Sequence, residues 1–169
     1  LNYNIRISGI KDGNHKYFFY IDNKFFESFV NSEITNAQIK VIATLSKDRS
    51  QLKLSLKING VVSNLLCDLC ASKMNITISN SLSVLLEETD LNSEDTDEII
   101  YITSNQNEID ISQLIYEGVI LSIPTKREHD GEENSKCDKD MIVLIDKYVK
   151  QEEISDPRWD TLNKLKDLI

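Results

Sequence analysis

No apolar run in this chain approaches the roughly 18 residues that a membrane-crossing helix needs, so no membrane-crossing helix is expected within it. The opening residues, LNYNIRISGI, lack a basic stretch followed by an apolar one. That predicts no secretory leader. Cysteine is scarce, with three in 169 residues, and the number is odd. A dense disulfide framework is thereby excluded, and a reducing, cytoplasmic setting is expected. The chain has no Gly-rich phosphate loop, no G-x-S-x-G and no H-E-x-x-H. Without them the common nucleotide, hydrolase and metalloprotease sites are missing, and the catalytic inventory is poor. Internal repeats are absent too. Positive charge is in short supply, with 19 Lys and Arg against 28 Asp and Glu, a net charge of −9. Such a balance opposes indiscriminate binding to nucleic acid, which needs a basic surface.

What is present is a globular composition, 40% apolar and 28% charged, long enough for one domain with its own core. The charge is uneven. Residues 37–61 hold Lys40, Lys47, Arg49, Lys53 and Lys57 against the single acid Asp48. Residues 87–98 hold seven acids and no base.

The strongest structural signal is a hairpin. In AQIKVIATLS, residues Ile39, Val41, Ala43 and Leu45 share one face, and in QLKLSLKING, Leu52, Leu54, Leu56 and Ile58 do the same. Pairing Lys47 with Ser50 sets Leu45 against Leu52 and Ile39 against Ile58. It also sets Lys40 against Lys57 and Thr44 against Lys53 on the outer face. A further strand carries Met74, Ile76, Ile78, Leu82 and Val84 inward, and EIIYIT reads as another. The acidic EETDLNSEDTDE between them is expected to be a mobile loop. YNIRISGI and KYFFYI read as strands, and NKFFESF as a short helix.

Helices are expected later. Asp110 and Gln113 make a capping-box-like start for a helix whose stripe is Ile111, Leu114, Ile115 and Val119, ended by Pro124. MIVLIDKYVK is a second helix. DPRWDTLNKLKDLI is a third, capped by Asp156, with Trp159, Leu162 and Leu165 as its apolar stripe. Strands first and helices after predict an α+β fold. Its antiparallel sheet has about five to six strands, open or closed toward a barrel, followed by C-terminal helices. Residues 1–150 are expected to form one domain, and 151–169 a linker with an amphipathic helix.

Chemistry concentrates in LLCDLCASKMN. A redox role for Cys67 and Cys70 needs a following helix N-terminus, whereas a strand follows here. A metal role needs both thiolates on one side, and residues three apart on a flat strand point to opposite faces. The pair converges only if CDLCASK is a tight turn, which is where the chain must reverse. Zinc takes four ligands, and the remaining candidates are His129 and Cys137 in REHDGEENSKC. Three small thiols, buried or half-exposed, with a surface histidine stay an open alternative. Cys70 with His129 is the strongest pair for thiol catalysis. His15 reads as a solvated turn residue, and Trp159 as a core or groove anchor.

Several pieces in order resemble the bacterial YceD family, the large ribosomal RNA subunit accumulation proteins. They are GVVSNLLCDLC, an acidic loop, IDISQLIYEGVILSIP, REHDGEENSKC and DPRWDTLNKL. The resemblance implies a non-enzymatic factor for synthesis, processing or stability of large-subunit ribosomal RNA. Its partner would be that RNA, a large-subunit precursor, or ribosomal and assembly proteins. It also implies a shared structural zinc site of Cys67, Cys70, His129 and Cys137. Family members usually carry Arg and Leu where this chain has Leu69 and Ala71. On this reading Lys40, Lys47, Arg49, Lys53 and Lys57 contact phosphate. Its rival is a zinc-stabilised protein-interaction module that touches no RNA.

Overall fold

In the computed structural model the described residues are 3–49, 51–89, 96, 98–129 and 137–149. The expected acidic loop falls largely outside them. So do the C-terminal helix with Trp159 and the 151–169 linker.

Five strands build the main sheet: β2 (Gly13–Ile21), β3 (Asn36–Asp48), β4 (Gln51–Leu66), β5 (Lys73–Glu88) and β6 (Ile99–Ile102). They lie in the order β2-β3-β4-β5-β6. A separate two-stranded sheet pairs β1 (Asn4–Arg6) with β7 (Glu108–Asp110). The first four strands of the main sheet are antiparallel neighbours, but β6 runs parallel to β5. The main sheet is therefore mixed, not purely antiparallel, and it is open, with β2 and β6 at its edges. The barrel option is removed by those edges. Nor do the helices all follow the strands: α1 (Asn23–Phe26) interrupts β2 and β3, while α2 (Ser112–Ile120) and α3 (Lys139–Val149) come late.

Period-two alternation assigns the faces correctly. Ile39, Val41, Ala43, Leu45, Leu54, Leu56 and Ile58 are buried on one side. That side is covered by β1, β7, α1 and α2, whose Ile5, Phe25, Phe26, Ile109, Ile115 and Val119 join the same core. Each such Val, Leu, Ile or Phe side chain taken out of water contributes roughly 1.5–3 kcal/mol.

The β3–β4 register differs from expectation by two residues. Asp48 pairs with Gln51, Leu45 with Leu54, Val41 with Ile58 and Ile39 with Gly60. Two-residue loops suit the strand twist best, and Arg49 in the loop takes the left-handed conformation they require, at φ 54. A shift of two preserves every face, so the core forecast survives the error. Lys40 now faces Asn59 and Lys57 faces Ile42, which removes a like-charge pair. Gly60 is required by the new register: a Cβ there would lie 2.3 Å from the Gln38 carbonyl oxygen.

Two local forecasts also change. The capping box at α2 does not close. Asp110 Oδ1 accepts from Ser112 N at 2.8 Å, but Gln113 Nε2 donates forward to Glu117 Oε1 at 2.7 Å. His15 is not in a turn; it lies within β2, with Nε2 2.8 Å from the Lys11 carbonyl oxygen.

Candidate metal centre

Inward residues of β4 carry even numbers as far as Val62. A bulge between Val62 and Leu65, with Asn64 at φ 64, then inserts a step. Beyond it the odd residues turn inward, so Leu65 and Cys67 are buried. Without the bulge Cys67 would point to the outer face. Asn suits this position because its short polar side chain tolerates the left-handed region.

The chain then reverses tightly, as a metal role requires. Cys67 donates its N–H to the Ser72 carbonyl, and Ala71 N donates to the Cys67 carbonyl, both at 2.9 Å. Ala71 completes the turn at φ 56. Cys70 is thereby brought inward beside Cys67. Leu69 and Ala71, the two departures from the family pattern, are exposed. They change the surface of the turn and leave the thiols untouched.

A distant segment docks on this turn through Asp68. Asp68 N donates to the Arg127 carbonyl at 2.7 Å, and Arg127 N donates to Asp68 Oδ2 at 2.6 Å. The Arg127 guanidinium also reaches Asp68 at 3.6 Å and Glu33 at 3.2 Å. Residue 127 being fixed, His129 follows two residues on and is 5% exposed. Cys137 arrives from the other direction, directly before α3. There Asp138 caps the helix, its Oδ1 accepting from Asp140 N at 3.0 Å and Met141 N at 3.3 Å.

The result is a buried cluster of Cys67, Cys70, His129 and Cys137 whose ligand atoms all lie within 4.8 Å of one another. Nδ1 of His129 is 3.8 Å from the Cys70 sulfur and 3.3 Å from the Cys137 sulfur. A tetrahedral site with Zn–S near 2.3 Å and Zn–N near 2.0–2.1 Å has edges of about 3.6–3.8 Å. The four residues therefore fit a metal ion, and the three-sulfur, one-nitrogen donor set is compatible with zinc.

The thiols differ. Burial pushes Cys70 up, but hydrogen bonds from the Ser72 side chain and backbone, the Asp138 backbone and the Cys67 thiol outweigh it, bringing Cys70 down to about 6. Burial pushes Cys137 up, and the facing Cys70 and Cys67 sulfurs push it further, to about 11. Cys70 is 3% exposed, which leaves a substrate little access to a thiol catalyst.

The five basic residues are not all gathered. Lys40, Lys53 and Lys57 are exposed on the outer face of the main sheet, and Arg49 is exposed at the hairpin tip. Lys47 lies on the inner face and donates its Nζ to the Ile10 carbonyl at 3.1 Å. It ties down the segment before β2.

Sequence reasoning missed two aromatics on the same outer face. Phe18 and Tyr20 are 69% and 72% exposed. Lys40 Nζ stands 5.6 Å from the Tyr20 ring centroid, within cation–π range. The signal was present in KYFFYI, where alternation puts Phe18 and Tyr20 on one side. Deciding which side needed the β2–β3 register.

The family model described as Large ribosomal RNA subunit accumulation protein YceD matches residues 54–166. No curated protein and no solved structure matches the chain. Among the described residues no helix is long and apolar enough to cross a membrane.

Proposed function

The chain belongs to the YceD family, and on that premise we propose that it is a cytoplasmic ribosome biogenesis factor. It supports accumulation and processing of large-subunit ribosomal RNA by binding that RNA or a large-subunit precursor, and it catalyses nothing. The observation that carries this reading is the family match across residues 54–166, which include both segments of the metal centre. The metal is zinc and its role is structural. Cys67 and Cys70 end the β4–β5 hairpin, while His129 and Cys137 come from chain beyond α2. One ion would thus fasten the C-terminal part of the domain to the sheet. Lys40, Lys53 and Lys57 supply phosphate contacts, which fix position and not sequence.

The test is sedimentation of a cell lysate through a sucrose gradient, with the protein detected across the fractions. It should travel with particles that hold large-subunit precursor RNA, and its depletion should lower mature large-subunit RNA. A protein confined to the top of the gradient, with RNA levels unchanged by depletion, would overturn the reading.

A second reading keeps the zinc and drops the RNA. A protein-interaction module is favoured by the net charge of −9 and by α3, whose Val143, Leu144, Tyr148 and Val149 are exposed. It predicts the same sedimentation, undisturbed by loss of the lysines.

A further inference from the structure

We propose that the outer face of the main sheet is a stacking platform for single-stranded RNA, with Phe18 and Tyr20 as the base-stacking rings. This rests on the family reading and names the form of RNA bound and the residues that read its shape.

The antiparallel register lays the outer face out in rows across four strands. One row is Tyr20, Lys40, Asn59 and Ser79. The next is Phe18, Ile42, Lys57 and Ser81. Then come Lys16, Thr44, Ser55 and Ser83, and after them Asn14, Ser46, Lys53 and Leu85. These rows contain four lysines and no acid, in a molecule with net charge −9. Acids stand beyond them, at Asp12 and Asp22 on either end of β2 and at Asp48 and Glu87. A polyanion is the partner that this local reversal of sign fits.

The aromatics narrow the class. Two large rings at 69% and 72% exposure do not serve the core. Lone rings on a solvated sheet lower solubility, while rings beside lysines are what stacked bases and their phosphates need. Phe18 and Tyr20 are two residues apart on one strand, about 6.8 Å. That is twice the roughly 3.4 Å repeat of stacked bases in a duplex. Bases seated on both rings must be unstacked from each other, which a single strand allows and a helix does not. The inner rows carry the polar groups for sugar and phosphate. Lys57, Asn59, Ser79 and Ser81 line a shallow depression on β4 and β5, across β3 from the rings, where Ser79 Oγ donates to Asn59 Oδ1 at 2.9 Å.

The test uses the purified full chain and a short fluorescein-labelled oligoribonucleotide, read by anisotropy at several salt concentrations. The parent should bind the single strand more tightly than a duplex of the same sequence. F18L/Y20L should weaken binding on the order of tenfold per ring while keeping the salt slope, because every lysine remains. F18W/Y20W should retain the affinity. Both sites are exposed, so circular dichroism and melting should match the parent. Parent-like affinity in F18L/Y20L would overturn the platform, as would equal affinity for single strand and duplex. So would a parent that binds no oligoribonucleotide yet co-sediments with large-subunit precursors. That last outcome leaves the family reading intact and gives the face to a protein partner. Failure to co-sediment would strike the family reading itself.

Discussion

Asn64 occupies a left-handed conformation that costs most L residues about 1–2 kcal/mol. Its side-chain type makes the bulge possible, and the bulge turns Cys67 inward. A β-branched residue tolerates that conformation worst. Asn64→Val should therefore lower stability by about 1–2 kcal/mol and reduce metal content, whereas Asn64→Gly should keep both. Denaturant unfolding of the two variants, with metal analysis, measures this; a parent-like midpoint for N64V would assign the bulge to other residues. The thiols make a second prediction, on proton balance. In the metal-free protein the hydrogen bonds on Cys70 bring it down to about 6, which favours its thiolate at neutral pH. Cys137 still holds its proton, since its pKa is pushed up to about 11. A bound metal needs the thiolate. Binding must then release a proton from Cys137, and affinity must rise with pH between those two values. Calorimetry of zinc binding in buffers of different ionisation heat should show that release, and a buffer-independent heat would refute it.

At the scale of elements, the described packing of α3 onto the rest of the domain runs through the cysteine cluster. None of its residues is buried, and its described hydrophobic contact runs through Met141 and Ile142 to the cysteine cluster. A helix of 11 residues is marginal in water on its own. Chelation should therefore free α3 while the sheet persists. Hydrogen exchange should show residues 139–149 losing protection with β3 and β4 unchanged, and an α3 that stays protected without metal would mean that packing holds it. The elements were largely legible in the sequence, because strand alternation and helical stripes report faces directly. Ile39 to Leu45 and Ile111 to Val119 were read correctly for that reason. The β3–β4 register was not legible: a shift of two keeps every residue on its own face, and apolar pairing pointed to the other register, since the observed one sets Ile39 against Gly60 and Leu52 against Lys47. Turn geometry chose instead, at Arg49. The direction of β6 was hidden because IIYI has no polarity in its pattern. At the site, the four ligand residues were legible as chemistry and by resemblance to a family. Their convergence was not, since it depends on one asparagine in the left-handed region and on Asp68 gripping Arg127, 59 positions away.

For the whole molecule, the question is how a chain of net charge −9 approaches a polyanion. Its charge is segregated. The lysines stand together on the open sheet face, and the densest acidic run, residues 87–98, begins at the end of β5, one row beyond Lys53 and Leu85. Long-range repulsion then opposes approach from most directions, and the basic face is the direction left open. The outcome depends on ionic strength, because screening removes repulsion and attraction alike beyond about 8–10 Å. Changing Lys40, Lys53 and Lys57 together to Gln tests this. The sites are exposed, so each change should alter stability by under about 0.5 kcal/mol. Association with large-subunit precursors should fall. The slope of log affinity against log salt should flatten by about 0.7 for each single-strand phosphate that a lysine no longer neutralises, about two for all three. A triple variant that folds, co-sediments like the parent and keeps its salt slope would leave the lysines as charge that keeps a solvated sheet face soluble. The precursor would then be held through protein surfaces, with the exposed apolar side of α3 as the first place to look.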